Sequence, residues 1–536
     1  MGFQHQLFLF LSFFPAILAG KVTITVDTSK TIAETDDNFI CATIDWWPHD
    51  KCNYKHCPWG SSSILNLNLS HPSLKKAIEA FRSLRIRLGG SLEDQVVYGV
   101  GNLESPCDPL KAEKNGLLGF SKGCLPMKRW DELNNFLAKT GVIVTFGLNA
   151  LYGRRHIKGK VWEGAWDSTN AHDFIKYTVS KGYKIDSWEF GNEICGRASY
   201  GANIDAELYG NDLIKLKKII EDLYENSDST PSLLAPGGFF DQVWFAKLLQ
   251  VSGLGIVDSV THHIYNLGPA GNPNLVEKIL NRRLLNKLAR TLTVVDQTIK
   301  DNGSWASAWI GESGGASTNG GYDVSDTFVN SFWYLDQLGM ASKYNTKVHC
   351  RQTLIGGNYG LLNKETFAPN PDYYRQDALL WHRLMGKRVL AVKTNALSYL
   401  RSYAHCSKEG VGVTLLLINL HKATDYIIRV SKTMKMHLHL EAQGSRYLNK
   451  TVSWIGSKDF EPDGPKLFRE EYHLTPEDGY LRSHTMFLNG KPLELTENGD
   501  IPILKPAQVD VNSEISIAHL SIAFIVFPNF HASACA

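Results

Sequence analysis

Short apolar stretches alternate along the chain with longer stretches in which apolar residues recur every three or four positions. The short stretches predict buried strands, and the longer ones predict amphipathic helices. Strands are predicted to begin near positions 39, 85, 142, 186, 232, 257, 306 and 348. Helices are predicted at 73–84, 128–139, 171–181, 206–224, 243–251, 276–300 and 325–344. This alternation predicts an α/β fold, a (β/α)8 TIM barrel that spans residues 36–387.

The pattern changes after position 387. Short strand-like runs separated by turns, at 411–419, 426–430, 436–440 and 515–526, predict a second, all-β sandwich domain over residues 388–536. Near the N-terminus, residues 21–27 alternate between apolar and polar side chains with a period of two, which is typical of a half-buried strand. We expect the segment 21–35 to join the β domain, because a barrel of eight strands is complete without it.

An apolar run over residues 7–18 ends in the small residues Ala19 and Gly20. It is too short to span a membrane, so residues 1–20 are predicted to be a signal peptide and no transmembrane segment is expected. Secretion to the extracellular space or cell wall follows, with vacuole, lysosome and peripheral association with a membrane left open. In a secreted chain, the sequons that begin at Asn68, Asn302 and Asn449 predict glycosylation.

A net charge of +2 and a charged fraction of 21% are ordinary for a soluble globular chain. So small a net charge gives a weak electrostatic field, which argues against nucleic acid as a partner. The nine cysteines are an odd number, so at least one is free or pairs outside the chain. No Cys and His spacing resembles a zinc site, and neither a metal nor an organic cofactor is expected. The candidate disulfides are Cys52 with Cys57, Cys107 with Cys124, and Cys406 with Cys535.

Two predicted strands end in the same way. Glu193 follows Gly191 and Asn192 after the fourth strand, and Glu312 follows Gly311 on the seventh. The carboxyl ends of barrel strands meet at one rim, so we expect the two carboxylates to face each other there. Two facing carboxylates, about 5–5.5 Å apart in a retaining enzyme, cleave glycosidic bonds. Asn192 is a candidate donor to a sugar hydroxyl, and its alternative role is that of a turn residue.

Further motifs resemble heparanase and its relatives, glycoside hydrolase family 79, from about residue 21 to the C-terminus. They are Ile44-Asp45, Leu88-Gly89-Gly90-Ser91, Thr261-His262-His263-Ile264-Tyr265, Gly311-Glu312-Ser313, Gly320-Gly321, Ser325-Asp326-Thr327-Phe328, Arg351-Gln352 and Gly357-Asn358-Tyr359. The stretches 45–52 and 181–187 are most similar to the plant heparanase-like, β-glucuronidase branch.

The resemblance implies that Glu193 is the acid/base and Glu312 the nucleophile. It implies a carbohydrate substrate that contains glucuronic acid. The backbone N–H groups of Gly320 and Gly321 would bind the carboxylate of that sugar, because glycine allows close approach and paired amides bind anions. The other substrate-binding residues that it implies are Asp45, Ser91, Asn192, His262, Gln352 and Tyr359.

The two histidines of the sixth strand need separate treatment. The resemblance places His262 near the substrate, but side chains alternate along a strand. His262 and Ile264 therefore share one face, and His263 and Tyr265 share the other. We favour Tyr265 as the side chain that orients Glu312.

Taken together, these features predict a retaining, exo- or endo-acting β-glucuronidase. One alternative is a family member that has lost catalysis and only binds carbohydrate, although both glutamates are retained. Another is a retaining glycosidase for a neutral sugar. The basic clusters at 154–160 and 282–290 are interpreted as solvated faces in preference to sites for a sulfated polymer.

Overall fold

We describe a computed structural model of the chain. It describes residues 18–101, 106–374, 378–438, 446–453, 467–528, 530 and 532–536, with only the backbone for 18, 19, 374, 432–438 and 446–453. The first 17 residues of the predicted signal peptide, and the side chain of Asn449, therefore lie outside the description. Among the described residues, no helix is both long and apolar enough to cross a membrane.

The predicted TIM barrel is confirmed. Parallel strands close into a complete ring, and the eighth strand pairs with the first. Cys350 and Cys41 are partners in that pairing and form a disulfide, which joins the two ends of the barrel sequence. Barrel strands one to eight are Ile40–Ile44, Arg85–Leu88, Ile143–Leu148, Ser187–Phe190, Ser232–Phe239, Ser259–Ile264, Ser307–Ser313 and Thr346–Arg351.

Helices cover the outside of the barrel at nearly the predicted positions. The predicted helix 276–300 is two helices, because Asn281 caps the second one through its side-chain oxygen, which accepts from the backbone N–H groups of Arg283 and Leu284. The described helices are Pro72–Glu79, Met127–Lys139, Thr169–Ser180, Ala206–Leu223, Gln242–Ser252, Leu275–Ile279, Arg282–Asn302, Phe328–Lys343, Pro371–Tyr374 and Leu379–Leu384.

The second domain is all-β, and its described strands form one continuous sheet. The strand Leu18–Glu34 joins this sheet, antiparallel to Met385–Thr394 and parallel to Thr424–Leu438. The predicted strand 515–526 is two strands. The remaining strands of the sheet are Leu400–Ser407, Val413–Asn419, Arg446–Ser453, Phe468–Pro476, Met486–Leu488, Lys491–Pro492, Ala507–Asp510, Ile515–Ile517 and Ser521–Phe527.

Three small strand pairs lie in the connections at the barrel rim. The stretch 95–125 contains one of them and is closed by the disulfide between Cys107 and Cys124. The pairs are Val96–Tyr98 with Gly123–Leu125, Arg155–Lys158 with Val161–Glu163, and Gly268–Pro269 with Ala316–Ser317.

The helix Phe328–Lys343 lies between the barrel and the β domain, and nearly all of its side chains are buried. Its Asp336 accepts hydrogen bonds from Arg401 Nε at 2.6 Å and from the Tyr403 hydroxyl at 2.5 Å, both in the β domain. Gly339 leaves room for the Tyr403 ring, since a Cβ there would come within 2.4 Å of it. A buried charge pair and close ring packing therefore join the two domains.

Disulfides also link Cys52 to Cys57 and Cys406 to Cys535. The second of these ties the C-terminus to the strand Leu400–Ser407. Cys195 is the remaining cysteine, and it is buried with a free thiol in the described structure.

Candidate active site

Glu193 and Glu312 lie together at the carboxyl-terminal rim of the barrel. A carboxylate oxygen of each, and a ring nitrogen of His263, all lie within 4.8 Å of one another. Both glutamates are 6% exposed. Carboxyl groups this near each other fit a retaining mechanism, whose pair lies roughly 5–5.5 Å apart, and not the spacing of about 6.5–9.5 Å in an inverting one. These three side chains are also near enough to hold a metal ion, but the spacing of a retaining pair accounts for the cluster without one.

Arg87 organises the centre of the site from the second barrel strand. It is 1% exposed, and its guanidinium contacts Glu189. Its Nη1 donates to Glu312 Oε2 at 3.1 Å, and its Nη2 donates to Asn192 Oδ1 at 2.8 Å. Burial lowers the pKa of Arg87, but the neighbouring carboxylates raise it further, so it lies above its ordinary value. The residue is therefore a permanent cation inside the barrel.

Glu312 receives hydrogen bonds on both carboxylate oxygens. Arg87 donates to Oε2, and the hydroxyl of Tyr265 donates to Oε1 at 2.5 Å. Two donors, one of them cationic, fix the orientation of this carboxylate. An ionised and oriented carboxylate is the form that a nucleophile requires.

Glu193 is held differently. Its backbone has a φ of 54°, which is uncommon for a residue other than glycine. The backbone N–H donates to Gly237 O at 2.7 Å, and its carbonyl accepts from Tyr200 N at 2.7 Å. Burial raises the pKa of the Glu193 carboxyl to about 7, partly offset by the charge of Arg87. A carboxyl with a pKa near neutrality suits a group that first donates and then accepts a proton.

His263 is the partner of the Glu193 carboxyl, with 2.9 Å between Nδ1 and Oε1. Burial lowers the pKa of His263 to about 4, so the ring is neutral near pH 7. A neutral imidazole nitrogen either donates to the carboxylate or accepts from the carboxylic acid, according to its tautomer. The hydrogen bond can therefore persist in both protonation states of Glu193.

A pocket of about 240 Å³ opens above the two glutamates. Of the site residues predicted from the sequence, Ser91, Tyr265, Gln352 and Tyr359 line it. Side chains that the sequence analysis did not select also line it: Trp47, Lys51, Asn53, Tyr200, Phe239, Ser317, Thr318 and Asn319.

Asp45 and Asn192 are buried and hydrogen-bond to residues of the site. Asp45 Oδ2 accepts from Gln352 Nε2 at 2.9 Å. Burial, and next the charge of Glu312, raise the pKa of Asp45 to about 7. The amide Nδ2 of Asn192 is buried without a partner in the described structure.

The expected pair of glycine amides is only partly available. The Gly321 N–H already donates to Ser325 Oγ at 3.0 Å, so a carboxylate bound there would share or replace this hydrogen bond, and the role of Gly321 stays a prediction. Gly320 has a φ of 79°, and a Cβ there would come within 2.6 Å of the Tyr359 ring. Glycine at 320 thus allows Tyr359 to pack against the turn, while Thr318 and Asn319 form the pocket wall beside it.

The expectation for His262 is also corrected. His262 is fully buried and pairs with Ile310 of the seventh strand, whereas the next side chain, His263, contacts Glu193. Because side chains alternate along a strand, His262 faces away from the pocket. Burial lowers its pKa to about 4, as expected for a neutral core histidine.

Three residues of the site were not among those predicted from the sequence: Arg87, His263 and Lys51. The available signal for Arg87 was a charged residue inside an apolar strand, and for His263 it was the shared face with Tyr265. Lys51 follows from no periodic pattern, because it lies in a loop.

Comparisons with known proteins agree with this geometry. "Heparanase-like protein 1" of Arabidopsis thaliana is 59% identical over 96% of this chain and 95% of that protein. "Baicalin-beta-D-glucuronidase" of Scutellaria baicalensis is 38% identical over 97% of this chain and 94% of that protein. A GH51 arabinofuranosidase structure from Xanthomonas axonopodis pv. citri aligns with a TM-score of 0.64 at 11% identity, covering 94% of this chain and 99% of that one, and supports the fold alone.

The family described as "Glycosyl hydrolase family 79, N-terminal domain" matches residues 21–339, a stretch that includes both Glu193 and Glu312. The chain is therefore a glycosidase, and it belongs to glycosyl hydrolase family 79.

Proposed function

We propose that this family 79 member is a retaining β-glucuronidase that releases β-linked glucuronic acid from glycans, proteoglycan glycans or small glucuronides. The name of the Scutellaria baicalensis relative, "Baicalin-beta-D-glucuronidase", is consistent with this substrate class. The resemblance seen in the sequence points to the same sugar.

The observation that carries the proposal is the cation in the catalytic pocket. Lys51 lines the pocket with its Nζ 4.1 Å from the centroid of the Trp47 ring, and it forms no ion pair with a described carboxylate. Burial lowers its pKa, while the charge of Asp45 acts in the opposite direction. A half-buried cation that has no ion-pair partner favours a substrate that brings its own carboxylate. The Tyr359 hydroxyl would add a donor to that carboxylate.

In the first step, Glu312 attacks the anomeric carbon and the glycosidic bond breaks. Glu193 donates its proton to the leaving oxygen, so the aglycone departs as a neutral alcohol and the sugar becomes an ester of Glu312. The carboxylate of Glu312 loses charge in this step. Asn192 Nδ2 would donate to a hydroxyl of the same sugar ring.

In the second step, Glu193 is ionised and accepts a proton from a water molecule that attacks the same anomeric carbon. The ester bond to Glu312 breaks, and glucuronic acid leaves with its original β configuration. The site then returns to its starting protonation state, because Glu193 holds the proton and Glu312 the charge.

The test compares 4-nitrophenyl β-D-glucuronide with 4-nitrophenyl β-D-glucoside and β-D-xyloside, using Glu312→Ala as the inactive control. We expect turnover of the glucuronide and a large preference for it over both neutral sugars. Faster cleavage of a neutral sugar would support a neutral-sugar glycosidase. No turnover by folded protein from about pH 4 to 7 would support a carbohydrate-binding protein that has lost catalysis.

We also propose that the protein is secreted and glycosylated, and that it acts in the cell wall, vacuole or lysosome. Disulfides are typical of proteins that fold in an oxidising compartment. Asn68 is exposed, as glycosylation requires, and Asn302 is half-buried. Mass spectrometry of the mature protein would identify its N-terminus and any glycan on these asparagines.

A further inference from the structure

A second cavity, of about 680 Å³, shares no lining residue with the catalytic pocket. Its wall comes mainly from three segments that follow barrel strands two, three and four: residues 94–97 with 113–122, residues 149–162, and Gly201. We refer to it as the loop cavity. It is larger than the catalytic pocket of about 240 Å³.

The loop cavity adjoins the catalytic pocket at two points. Tyr200 lines the catalytic pocket, and the next residue, Gly201, lines the loop cavity. Trp47 lines the catalytic pocket, and its ring packs edge-on against Phe120 of the loop cavity, with centroids 5.6 Å apart. One wall residue of each space is therefore in direct contact with a wall residue of the other.

The position of the loop cavity relative to the catalytic pair indicates which part of a substrate would enter it. Glu193 follows barrel strand four, and it must reach the leaving oxygen to protonate it. Asn319 and Tyr359, on the segments after strands seven and eight, form another part of the pocket wall. The loop cavity is built by the segments after strands two to four, and so lies on the side of Glu193, where the leaving group departs.

The wall of the loop cavity has the chemistry of a sugar-binding surface. The rings of Phe120, Tyr152 and Trp162 line it. Gln95 is 5% exposed, and its Nε2, like the Trp162 Nε1, is buried without a partner in the described structure. Buried donors without acceptors are costly, so these atoms favour a ligand that supplies oxygens. Sugars combine hydroxyl oxygens with an apolar ring face that packs on aromatic side chains.

The cavity wall is held in place before any ligand binds. The hairpin of Arg155–Lys158 and Val161–Glu163 packs on the segment after strand four, where Lys160 Nζ donates to Ser199 O at 2.5 Å and Trp162 N donates to Asn203 O at 3.0 Å. These bonds use the backbone of Trp162, which leaves its indole free to contact a ligand. A preformed wall lowers the entropic cost of binding.

We propose that the loop cavity binds the leaving-group side of a glycan substrate, over two or more sugar residues beyond the bond that is cleaved. Its volume is within the roughly 300–1,000 Å³ of typical ligand sites and exceeds what a single sugar ring fills. The inference rests on the proposed glucuronidase function and extends it, since it names an extended glycan as the substrate.

The test measures kcat/KM for 4-nitrophenyl β-D-glucuronide and for two series of β-glucuronosyl oligosaccharides that carry one to three galactose or glucose residues. We expect kcat/KM to rise with length in at least one series. Trp162→Ala should raise KM for the longer oligosaccharides and so lower their kcat/KM by about tenfold, with no change in kcat/KM for the nitrophenyl substrate. Trp162→Phe, which keeps an aromatic ring, should retain most of the gain with length. Ile157→Ala is the matched control, because Ile157 is on the same hairpin and 47% exposed.

Each other outcome is informative. Turnover of the nitrophenyl substrate with no length dependence in either series would overturn the role of the loop cavity and leave the glucuronidase function intact. If Trp162→Ala lowered kcat/KM for a flavone 7-O-β-glucuronide but not for the oligosaccharides, the loop cavity would bind a planar aromatic leaving group, and the proposal of a glycan site would be wrong. Failure to cleave any glucuronide would contradict the proposed function itself.

Discussion

Arg87 Nη1 donates a hydrogen bond of 3.1 Å to Glu312 Oε2, and the same guanidinium donates to Asn192. One buried cation thus fixes Glu312, the proposed nucleophile, and the Asn192 amide, which precedes the proposed acid/base Glu193. Glu312 and Asn192 both hydrogen-bond to Arg87 of barrel strand two, so their relative position depends on a rigid strand and not on loops.

Arg87→Lys should lower kcat on a glucuronide by about a hundredfold, because an ammonium group cannot donate to Glu189, Glu312 and Asn192 in the fixed geometry of a guanidinium. The measurement is steady-state kinetics on purified, folded protein. Arg85→Lys is the matched control, since Arg85 lies two residues earlier on the same strand and pairs with Asp186 instead. An unchanged kcat in Arg87→Lys would contradict the organising role of Arg87.

Replacing the proposed acid/base should slow cleavage to different extents, according to the leaving group of the substrate. Glu193→Ala should slow the cleavage of natural glycans much more than that of aryl glucuronides, because a good leaving group needs little protonation. Glu312→Ala should abolish turnover of both. Kinetics on a series of aryl glucuronides with different leaving-group pKa values measure the difference. Equal losses in Glu193→Ala across the series would contradict the assigned roles.

The pH profile follows from the raised pKa of Glu193. Burial raises that pKa to about 7, and the acid must be protonated in the first step, so kcat/KM should fall as the pH rises through about 7. Asp45 is a second group whose pKa is raised to about 7, by burial and the charge of Glu312. The charge on Arg87 and the neutral ring of His263 should stay constant over this range.

Variants of Glu193 and Asp45 distinguish the contributions of the two carboxyls to the pH profile. With an aryl glucuronide, Glu193→Ala should lose the alkaline fall of kcat/KM, whereas Asp45→Asn should keep it at a lower overall rate. If kcat/KM still fell at alkaline pH in Glu193→Ala but no longer did so in Asp45→Asn, the group that titrates would be Asp45.

The contact between the domains predicts a large loss of stability when one partner is removed. Arg401→Met leaves Asp336 buried without its cation and should cost about 3–5 kcal/mol in the free energy of unfolding. Arg429→Met is the control, because Arg429 is 63% exposed and its ion pair with Glu514 should contribute only about 0–1 kcal/mol. Chemical denaturation measures both. Equal losses would show that the buried pair does not hold the domains together.

Much of the fold was predictable because it depends on periodic patterns. The barrel strands are apolar runs that end at one rim, and this order alone predicts that Glu193 and Glu312 meet there. Strand alternation also put His263 and Tyr265 on one face, and the structure has both beside the catalytic pair.

What escaped prediction depends on contacts between residues far apart in the chain. Cys41 and Cys350 become neighbours only when the barrel closes. The Gly321 amide is used by Ser325 through a local turn that no periodicity encodes. Lys51 enters the pocket from a loop whose path is set by tertiary packing.

The most direct test of the account traps the covalent intermediate. A 2-deoxy-2-fluoro-β-D-glucuronyl fluoride should inactivate the enzyme, because the fluorine slows both steps and the fluoride leaves without protonation. Peptide mass spectrometry should then find one sugar attached to Glu312, and the adduct should be absent from Glu312→Ala. An adduct on another residue, or turnover that gives the α anomer first, would contradict a retaining mechanism with Glu312 as its nucleophile.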